Sequence, residues 1–477
     1  MLLESFLRHC RQQPEAVALV ESDRYLSYGD LLARAQSVAT GLQVLGVQPG
    51  QPVAVYLDRG IDAVTAVFGV LLAGACYVPL DLKNPKPRLA FIISDAKIHA
   101  VLGLGDAPAW LDESLWLDID TCSGESPVQV ELSADSLAAI LYTSGSTGQP
   151  RGVALSHGAV ASFASWAADL VALQGNDRIA SSAPFFFDLS TFDLYAVLGR
   201  GASLHFVPSA LSLSPARLSA WLKEQAISGW YTVPSLLAFL AYKGNLAETP
   251  LDSLRFLLFA GEVFPSPALI DLVAKLPRTA LYNFFGPTET NVCCYWPVER
   301  ERLVADQSIP IGLPAVDCEL HINAETGELW VRGSSLASGY WNQGRLQPFL
   351  NDEGWYPTGD RVSLIDDEYR FHGRLGRMLK CSGYRVEPAE IEAAVNAMAG
   401  VRDCAVVGID DPASGQRPAL ALVLEPQINP AGIRTALLRQ LPNYMQPSRC
   451  IVLEELPRLP NGKLDYNQVR TLLEAQQ

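Results

Sequence analysis

The sequence predicts an α/β protein: a large N-terminal domain of parallel and mixed sheets covered by helices, then a small, mobile α+β domain. Short apolar runs alternate with helix-type patterns through the first three quarters of the chain, which is typical of parallel sheet covered by helices. Near Gly354 this gives way to charged, turn-rich segments with short alternating strands. A chain of 477 residues also exceeds one ordinary core. We expect domains at 1–373 and 374–477, with a hinge near 374–377.

Each part of this prediction rests on particular segments. The apolar runs VAVYL, SLHFV, RFLLF and ALYNFF predict buried strands. Ser214 with Pro215 marks a helix start, with Ser214 as the cap, and the pattern repeats at Ser266. IDAVTAVFGVLLAGACYVPL approaches membrane length, but it contains Asp62, Gly74 and Pro79, so we expect a buried helix that runs into a strand. In the last hundred residues we expect a helix opened by Pro388, the strands CAVVGI and PALALVL, and a helix through ALLRQL.

Composition excludes several function classes. With 49% hydrophobic and 18% charged residues the chain is globular, and its formal net charge of -15 argues against binding to nucleic acid or anionic membranes. The nine cysteines lack CxxC spacing and are expected to be reduced and mostly buried. The start of the chain has helical apolar spacing and no signal-peptide core. We expect a cytoplasmic protein without a metal cage.

The segment LYTSGSTGQPRGV, from Leu141 to Val153, is the first with evident chemistry. A glycine loop after a strand can turn backbone N–H groups toward a phosphate, and the hydroxyl side chains add donors. It matches neither the Walker pattern nor GxGxxG. By itself it fits a phosphate loop and a mobile surface loop equally well.

The same loop resembles the phosphate loop of adenylate-forming enzymes, which include acyl-CoA synthetases, luciferase and nonribosomal peptide synthetase adenylation domains. Eight further blocks resemble that superfamily in order along the chain: LLAGACYVPLD, FFFDLSTFDLY, FFGPTETNV, GELWVRGSSLASGYW, WYPTGD, GRLGRMLKCSGYRVEPAEIE, LPNYMQP and LPNGKLD. The resemblance implies that a carboxylate is joined to the α-phosphate of ATP, pyrophosphate leaves, and the acyl group passes to a thiol.

Matched positions imply an ATP site with Mg²⁺. The β- and γ-phosphates would be held by Thr143, Ser144, Gly145, Ser146, Thr147, Gly148 and Arg151, where Arg151 replaces the usual lysine and could instead be a solvated surface charge. The remaining nucleotide contacts would come from Gly261, Glu262, Asn283, Phe284, Phe285, Asp360 and Arg374. Phe285 would stack on adenine, with core packing as its alternative, and Asp360 would accept the ribose hydroxyls.

Three positions carry the implied catalysis. Thr288 would contact the α-phosphate, and Glu289 would ligate magnesium, a hard ion that suits carboxylate and phosphate oxygens. Lys463 would bridge the substrate carboxylate and the phosphate as charge develops. Its alternative is an ordinary lysine of a disordered tail.

The amino-acid site centres on Asp188, which would pair with a substrate ammonium, because an unpaired buried carboxylate is costly. Its alternative is a cap on the turn before the next helix, a part that Asp193 could also play. The pocket behind it would be lined by Leu189, Phe192, Tyr231, Leu258, Ala260, Phe284, Val292 and Cys293. This set carries no second charge and is similar to that of free-standing enzymes that adenylate L-proline for a carrier protein.

The resemblance also implies an acceptor and a hinge. The chain stops soon after LPNGKLD, so we expect a free-standing ligase that loads a separate phosphopantetheinylated carrier protein. Arg374, Arg377, Lys380 and Arg385 form either a docking patch for it or a solvated charged face. Gly376 stands where the family has Asp or Lys at the hinge, and Gly376→Pro should impair thioester formation more than adenylate formation. Alternatives are an acyl- or aryl-CoA ligase, a luciferase-like oxygenase and a non-catalytic ATP-binding member.

Overall fold

A computed structural model of the chain describes residues 2–124, 127–145, 148–411, 415–459 and 464–475. Its helices are α1 Glu4–Gln12, α2 Tyr28–Val44, α3 Ile61–Leu72, α4 Lys86–Ala96, α5 His157–Leu170, α6 Pro215–Glu224, α7 Pro234–Lys243, α8 Ser266–Lys275, α9 Pro388–Asn396, α10 Pro430–Gln440 and α11 Tyr466–Ala475.

The strands of the first three quarters are β1 Val17–Glu21, β2 Arg24–Ser27, β3 Pro52–Val55, β4 Cys76–Pro79, β5 Ala100–Gly103, β6 Trp116–Asp118, β7 Leu137–Thr143, β8 Arg151–Ser156, β9 Arg178–Ser181, β10 Ser203–Phe206, β11 Gly229–Thr232, β12 Phe256–Phe259, β13 Ala280–Phe285, β14 Cys294–Pro297, β15 Leu313–Pro314, β16 Glu319–Ile322, β17 Glu328–Arg332, β18 Gly339–Asn342 and β19 Arg345–Gln347. The later strands are β20 Tyr356–Ile365, β21 Glu368–Arg374, β22 Leu379–Cys381, β23 Tyr384–Val386, β24 Val401–Asp411, β25 Gly415–Leu424 and β26 Arg449–Val452.

Two large sheets organise the N-terminal part. One has nine strands in the order β15-β14-β13-β12-β11-β9-β10-β1-β2, and the other has eight in the order β19-β18-β8-β7-β4-β3-β5-β6. Neighbours from β13 through β12, β11, β9 and β10 to β1 run parallel, as do β7, β4, β3, β5 and β6. The strands β2, β14, β15, β18 and β19 add antiparallel pairs. The predicted α/β class with parallel and mixed sheets is confirmed.

The apolar runs become strands because both faces of these sheets are covered, so side chains of either orientation are buried. All four residues of β3, β11 and β12 are buried. The long apolar segment from Ile61 forms the buried helix α3 and the strand β4, as predicted. A four-stranded sheet, β16-β17-β20-β21, completes this part.

Two predicted helix starts differ in detail. Ser214 precedes α6, but its φ of -136° and ψ of 81° leave the side chain without a capping hydrogen bond. Ser266 is the first residue of α8, not its cap, and its hydroxyl donates to the carbonyl oxygen of Gln307. In both helices proline occupies the first turn, where the missing N–H costs nothing.

The chain divides into two compact units. The larger contains residues 1–82, 93–141 and 152–373, and the smaller contains 83–92, 142–151 and 374–477. The smaller unit has the sheet order β23-β22-β25-β24, with β26 beside β25, and its core lies between this sheet and α9, α10 and α11. The glycine loop therefore belongs to the same compact unit as the C-terminal residues.

Candidate active site

The glycine loop joins the end of β7 to the start of β8. Gly148 has a φ of +85°, and its N–H donates to the carbonyl oxygen of Gly145 at 3.1 Å. A Cβ on Gly145 would lie 2.0 Å from the carbonyl oxygen of Gln149. Both glycines are therefore required by the turn itself. Ser146 and Thr147, two of the predicted phosphate donors, lie outside the described residues.

The described part of the loop is packed against the C-terminal segment of its own unit. Ser144 is buried, and its hydroxyl donates to the carbonyl oxygen of Arg385 at 2.6 Å. A Cβ on Gly148 would lie 2.9 Å from the Cβ of Ala393 on α9. Thr143 is held more loosely, with its hydroxyl 3.5 Å from the carbonyl oxygen of Arg151.

A buried ion pair lies beside this loop. Arg88 of α4 and Glu390 of α9 are paired, with side chains only 6% and 4% exposed. Burial raises the pKa of Glu390, while Arg88 and the backbone N–H of Gly145 favour its charged form. Sequence reasoning missed this pair, because the two residues are 302 positions apart.

The predicted adenine residues lie at the ends of neighbouring strands. Asn283 pairs with Phe259 across β12 and β13, and its Nδ2 donates to the carbonyl oxygen of Pro310 at 2.8 Å. A carbonyl can only accept, so this bond fixes the amide with its nitrogen toward Pro310. The Oδ1 atom is then the part of the amide that could accept a hydrogen bond from the exocyclic amine of adenine.

Phe285, Gly261 and Glu262 have structural contacts of their own. The Phe285 side chain is 8% exposed, and its ring centroid lies 5.5 Å from that of Phe371. Gly261 and Glu262 follow β12, and the Glu262 carboxylate accepts a hydrogen bond of 2.8 Å from the Ser235 N–H in the first turn of α7. Phe285 is therefore part of a buried cluster that also contains Cys293 and Cys294.

Thr288 and Glu289 lie in the turn after β13. Thr288 is partly exposed, whereas Glu289 is only 1% exposed. The Tyr340 hydroxyl donates to Glu289 Oε1 at 2.8 Å, and the Glu289 carbonyl oxygen accepts from the Ala337 N–H at 2.8 Å. Tyr340 was missed, although the block GELWVRGSSLASGYW contains it.

Asp360 is on β20 and is 1% exposed. Its N–H donates to the Thr358 hydroxyl at 3.0 Å, and that hydroxyl donates to the carbonyl oxygen of Leu329 at 2.8 Å. This chain of bonds fixes the backbone that carries the carboxylate. Arg374 is the last residue of β21 and opens the C-terminal part of the smaller unit.

The residues predicted to line the amino-acid pocket lie in the larger unit. Asp188 begins a tight turn, since both the N–H and the hydroxyl of Thr191 donate to its carbonyl oxygen, at 2.9 and 2.6 Å. Seven of the predicted lining residues share one buried core cluster: Leu189, Phe192, Tyr231, Leu258, Ala260, Phe284 and Val292. Cys293 lies in the adjacent cluster that contains Phe285.

Aromatic rings form one wall of this cluster. The Tyr231 ring lies 5.8 Å from Phe192 and 5.6 Å from Phe284, both edge to face. Burial, then the nearby carboxylates of Asp188 and Asp193, hold the pKa of Tyr231 well above its usual value. Its hydroxyl is therefore neutral and the wall carries no charge.

Asp193 is a buried carboxyl for which the sequence offered a capping role as one alternative. It lies in a π-helical turn, Phe192–Val197, and neither oxygen has the geometry of a hydrogen bond to any described residue, so it caps nothing. Burial raises the pKa of Asp193 to about 7, although the Ser181 hydroxyl and the Arg59 guanidinium oppose the shift. Single π-helical turns are frequent at functional sites.

Part of the predicted docking patch is neutralised. Arg377 donates to both carboxylate oxygens of Glu392, at 2.6 and 2.9 Å, and its guanidinium lies 3.9 Å from the centroid of the Tyr466 ring. Arg385 forms an ion pair with Glu387 at 3.5 Å. Two of the four residues of the predicted docking patch therefore already have acidic partners within their own unit.

The prediction that the cysteines are reduced and mostly buried is confirmed. The nine cysteines are free thiols, seven of them buried. Within the described ranges, no helix is long and apolar enough to cross a membrane, and no group of three or more His, Cys, Asp or Glu side chains is arranged to hold a metal. Lys463 lies outside the described residues.

Sequence comparison accounts for the blocks found above. Residues 6–341 match the AMP-binding enzyme model, and residues 390–463 match the model of the AMP-binding enzyme C-terminal domain. The chain belongs to the AMP-binding enzyme family. The first of these matches alone covers well over half of the sequence. The family resemblance inferred from the glycine loop and the eight further blocks is confirmed.

Relatives within the AMP-binding family are close in length and architecture. An L-proline–(L-prolyl-carrier protein) ligase of Streptomyces coelicolor is 38% identical, over 95% of this chain and 93% of its own. A ligase of the same name from Pseudomonas fluorescens is 35% identical, over 98% of each chain. Among solved structures, holo-PA1221, an NRPS protein containing adenylation and PCP domains, matches with a TM-score of 0.82 and 25% identity, over 98% of this chain and 83% of its own.

Proposed function

We propose that this AMP-binding enzyme activates L-proline as the prolyl-adenylate and transfers it to the phosphopantetheine thiol of a separate carrier protein. Asp188 carries the proposal, because its carboxylate would supply one negative charge for the substrate ammonium, and the other predicted lining residues are apolar or aromatic. The names of the two ligase relatives support the same substrate and acceptor.

In the first half-reaction an oxygen of the proline carboxylate attacks the α-phosphorus of ATP, and the bond to pyrophosphate breaks. Two anions meet in this step, so catalysis depends on fixed donors and cations. The Lys463 ammonium would bridge the two anions, and the Thr288 hydroxyl would donate to the α-phosphate. In the second half-reaction the thiolate attacks the acyl carbon and AMP leaves.

Glu289 fits the role of a magnesium ligand. Its carboxylate is oriented by the Tyr340 hydroxyl, and hard oxygen ligands suit Mg²⁺, which commonly takes one or two carboxylates and completes its shell with phosphate oxygens and water. Mg²⁺ would neutralise phosphate charge in the first half-reaction. Asn283 and Asp360 would bind adenine and ribose, and the glycine loop would bind the β- and γ-phosphates.

We further propose domains at 1–373 and 374–477 that rotate about Gly376 between the half-reactions. A Cβ on Gly376 would meet no atom within 4 Å, so packing does not require glycine at this position. Glycine would instead be useful there because it allows a wide range of φ during the rotation.

Exchange of labelled pyrophosphate into ATP tests the first half-reaction. We expect exchange with L-proline and none with benzoate or cyclopentanecarboxylate, which lacks the ring nitrogen. Lys463→Ala should abolish most of the exchange, whereas the matched variant Lys243→Ala, at an exposed position on α7, should not. Preference for an aryl acid would contradict the proposal and favour an aryl-CoA ligase.

Acceptor choice needs a separate measurement. Purified enzyme, L-proline and Mg-ATP are incubated with either a phosphopantetheinylated carrier protein or coenzyme A, and thioester is detected by mass. Prolyl thioester on the carrier is expected. Exclusive formation of prolyl-CoA would overturn the carrier assignment and leave proline activation intact.

A further inference from the structure

Trp166 lies outside the predicted pocket set but touches it. It is a half-buried residue of α5, a helix whose start is fixed by the Ser156 hydroxyl, which accepts the Ala159 N–H at 3.1 Å. The Trp166 ring centroid lies 5.3 Å from that of Phe284 and 5.2 Å from that of Tyr295. These separations are within the favourable range for aromatic pairs.

Phe284 is held from two sides. Its ring is 5.6 Å from Tyr231, edge to face, and 5.3 Å from Trp166 at an interplanar angle of 39°. Its backbone is fixed by pairing with Tyr295 across β13 and β14. The remaining freedom of the Phe284 side chain is rotation about its own bonds, and the Tyr231 and Trp166 rings are the aromatic neighbours that would restrict it.

We propose that Trp166 is a positioning residue that sets the size of the amino-acid pocket by holding the Phe284 ring against Tyr231. The inference rests on the proposed activation of proline. It assigns to Trp166 the discrimination between a five-membered imino-acid ring and its six-membered homologue, L-pipecolate, without a contact to either substrate.

The test compares kcat/KM for L-pipecolate and L-proline in pyrophosphate exchange. One extra methylene in an apolar pocket is discriminated by about 10- to 200-fold, so Trp166→Ala should raise the pipecolate-to-proline ratio by roughly tenfold or more. Trp166→Phe, which keeps an aromatic ring, should give an intermediate ratio. Trp110→Ala is the matched control, since Trp110 is also partly buried and packs on an aromatic ring, that of Tyr56, at 5.8 Å.

A double-mutant cycle separates positioning from general loosening. Phe284→Leu should raise the ratio by itself, and adding Trp166→Ala to Phe284→Leu should change it no further, because Trp166 acts through the ring that is gone. An unchanged ratio in Trp166→Phe and Trp166→Ala, or additive effects in the cycle, would overturn the inference. If Trp166→Ala does not fold, Trp166→Phe alone and in the Phe284→Leu background decides.

Failure of the proposed function gives a different result from failure of the positioning role. If the wild-type enzyme activates another amino acid and not L-proline, the substrate proposal fails. The same cycle is then run with that amino acid and its one-methylene-longer homologue. A ratio that moves with Trp166 supports the positioning role, and one that does not refutes it.

Discussion

Tyr340→Phe removes one hydroxyl and tests the role of Glu289. The hydroxyl donates to Glu289 Oε1 at 2.8 Å, and the carboxylate is 1% exposed, so water cannot readily replace the donor. The Tyr340 ring also packs on Phe349 with centroids 5.5 Å apart, a contact that phenylalanine retains. The variant therefore isolates the hydrogen bond.

The magnitude follows from the charge of the acceptor. A hydrogen bond to a charged group contributes about 1.5–3 kcal/mol, and about 1.4 kcal/mol corresponds to a factor of ten. Groups that orient a metal ligand typically change metal affinity or activity by about 10- to 100-fold. We expect the half-saturating free Mg²⁺ concentration to rise about tenfold, with a loss of about 1 kcal/mol in the free energy of unfolding.

The assay is L-proline-dependent pyrophosphate exchange at saturating ATP with free Mg²⁺ varied, beside urea unfolding. Tyr369→Phe is the matched control, because its hydroxyl makes only a 3.4 Å contact with the carbonyl oxygen of Leu320. A folded Tyr340→Phe enzyme with the wild-type Mg²⁺ dependence would refute the reasoning.

Four other perturbations have defined outcomes. Asp188→Asn should lower kcat/KM for L-proline by about 100- to 1000-fold, as expected when a buried ion pair loses a partner, and a smaller loss than tenfold in exchange would contradict the pairing. Arg88→Met should cost about 3–5 kcal/mol in urea unfolding by leaving Glu390 buried and unpaired, and Glu390→Gln in the same background should recover part of it; an unchanged midpoint would argue against the pair. The pKa of Asp193 is raised to about 7, so its contribution to stability is full below about pH 4 and is lost as the pH rises through 7. Asp193→Asn should therefore be more stable than wild type at pH 8, and this difference should vanish toward pH 4. Parallel profiles of unfolding free energy against pH for the two proteins would contradict the raised pKa. Gly376→Pro should slow thioester formation more than pyrophosphate exchange, and equal losses in both would oppose the hinge.

Local sequence pattern alone predicted the fully buried strands and the helices that have proline in their first turn. The apolar runs of β3 and β12 are buried throughout, so hydrophobicity alone marks them. Proline in the first turn located α6, α8 and α9, since its fixed φ suits that position. The capping bond of Ser214 was wrongly expected, because a cap depends on backbone angles that residue type does not determine.

Contacts between residues far apart in the chain could not be predicted from the sequence. Tyr340 is 51 residues from Glu289, and Trp166 is brought to Phe284 by the packing of α5 on β13. Periodicity tells which face of an element is buried and is silent on which partner meets it. The roles of Thr288, Asp360 and Lys463 rest on family position and stay predictions.

The pairing of Arg88 with Glu390 and of Ser144 with Arg385 bears on how this enzyme can be recombined. A chimera that exchanges only the residues after 373 for those of a relative would take Glu390 and its neighbours from one parent, and Arg88 and the glycine loop from the other. If the parents differ at position 88 or 390, a buried charge loses its counterpart. Shuffled versions of this chain should therefore move residues 83–92 and 142–151 together with the C-terminal segment, as one inherited block.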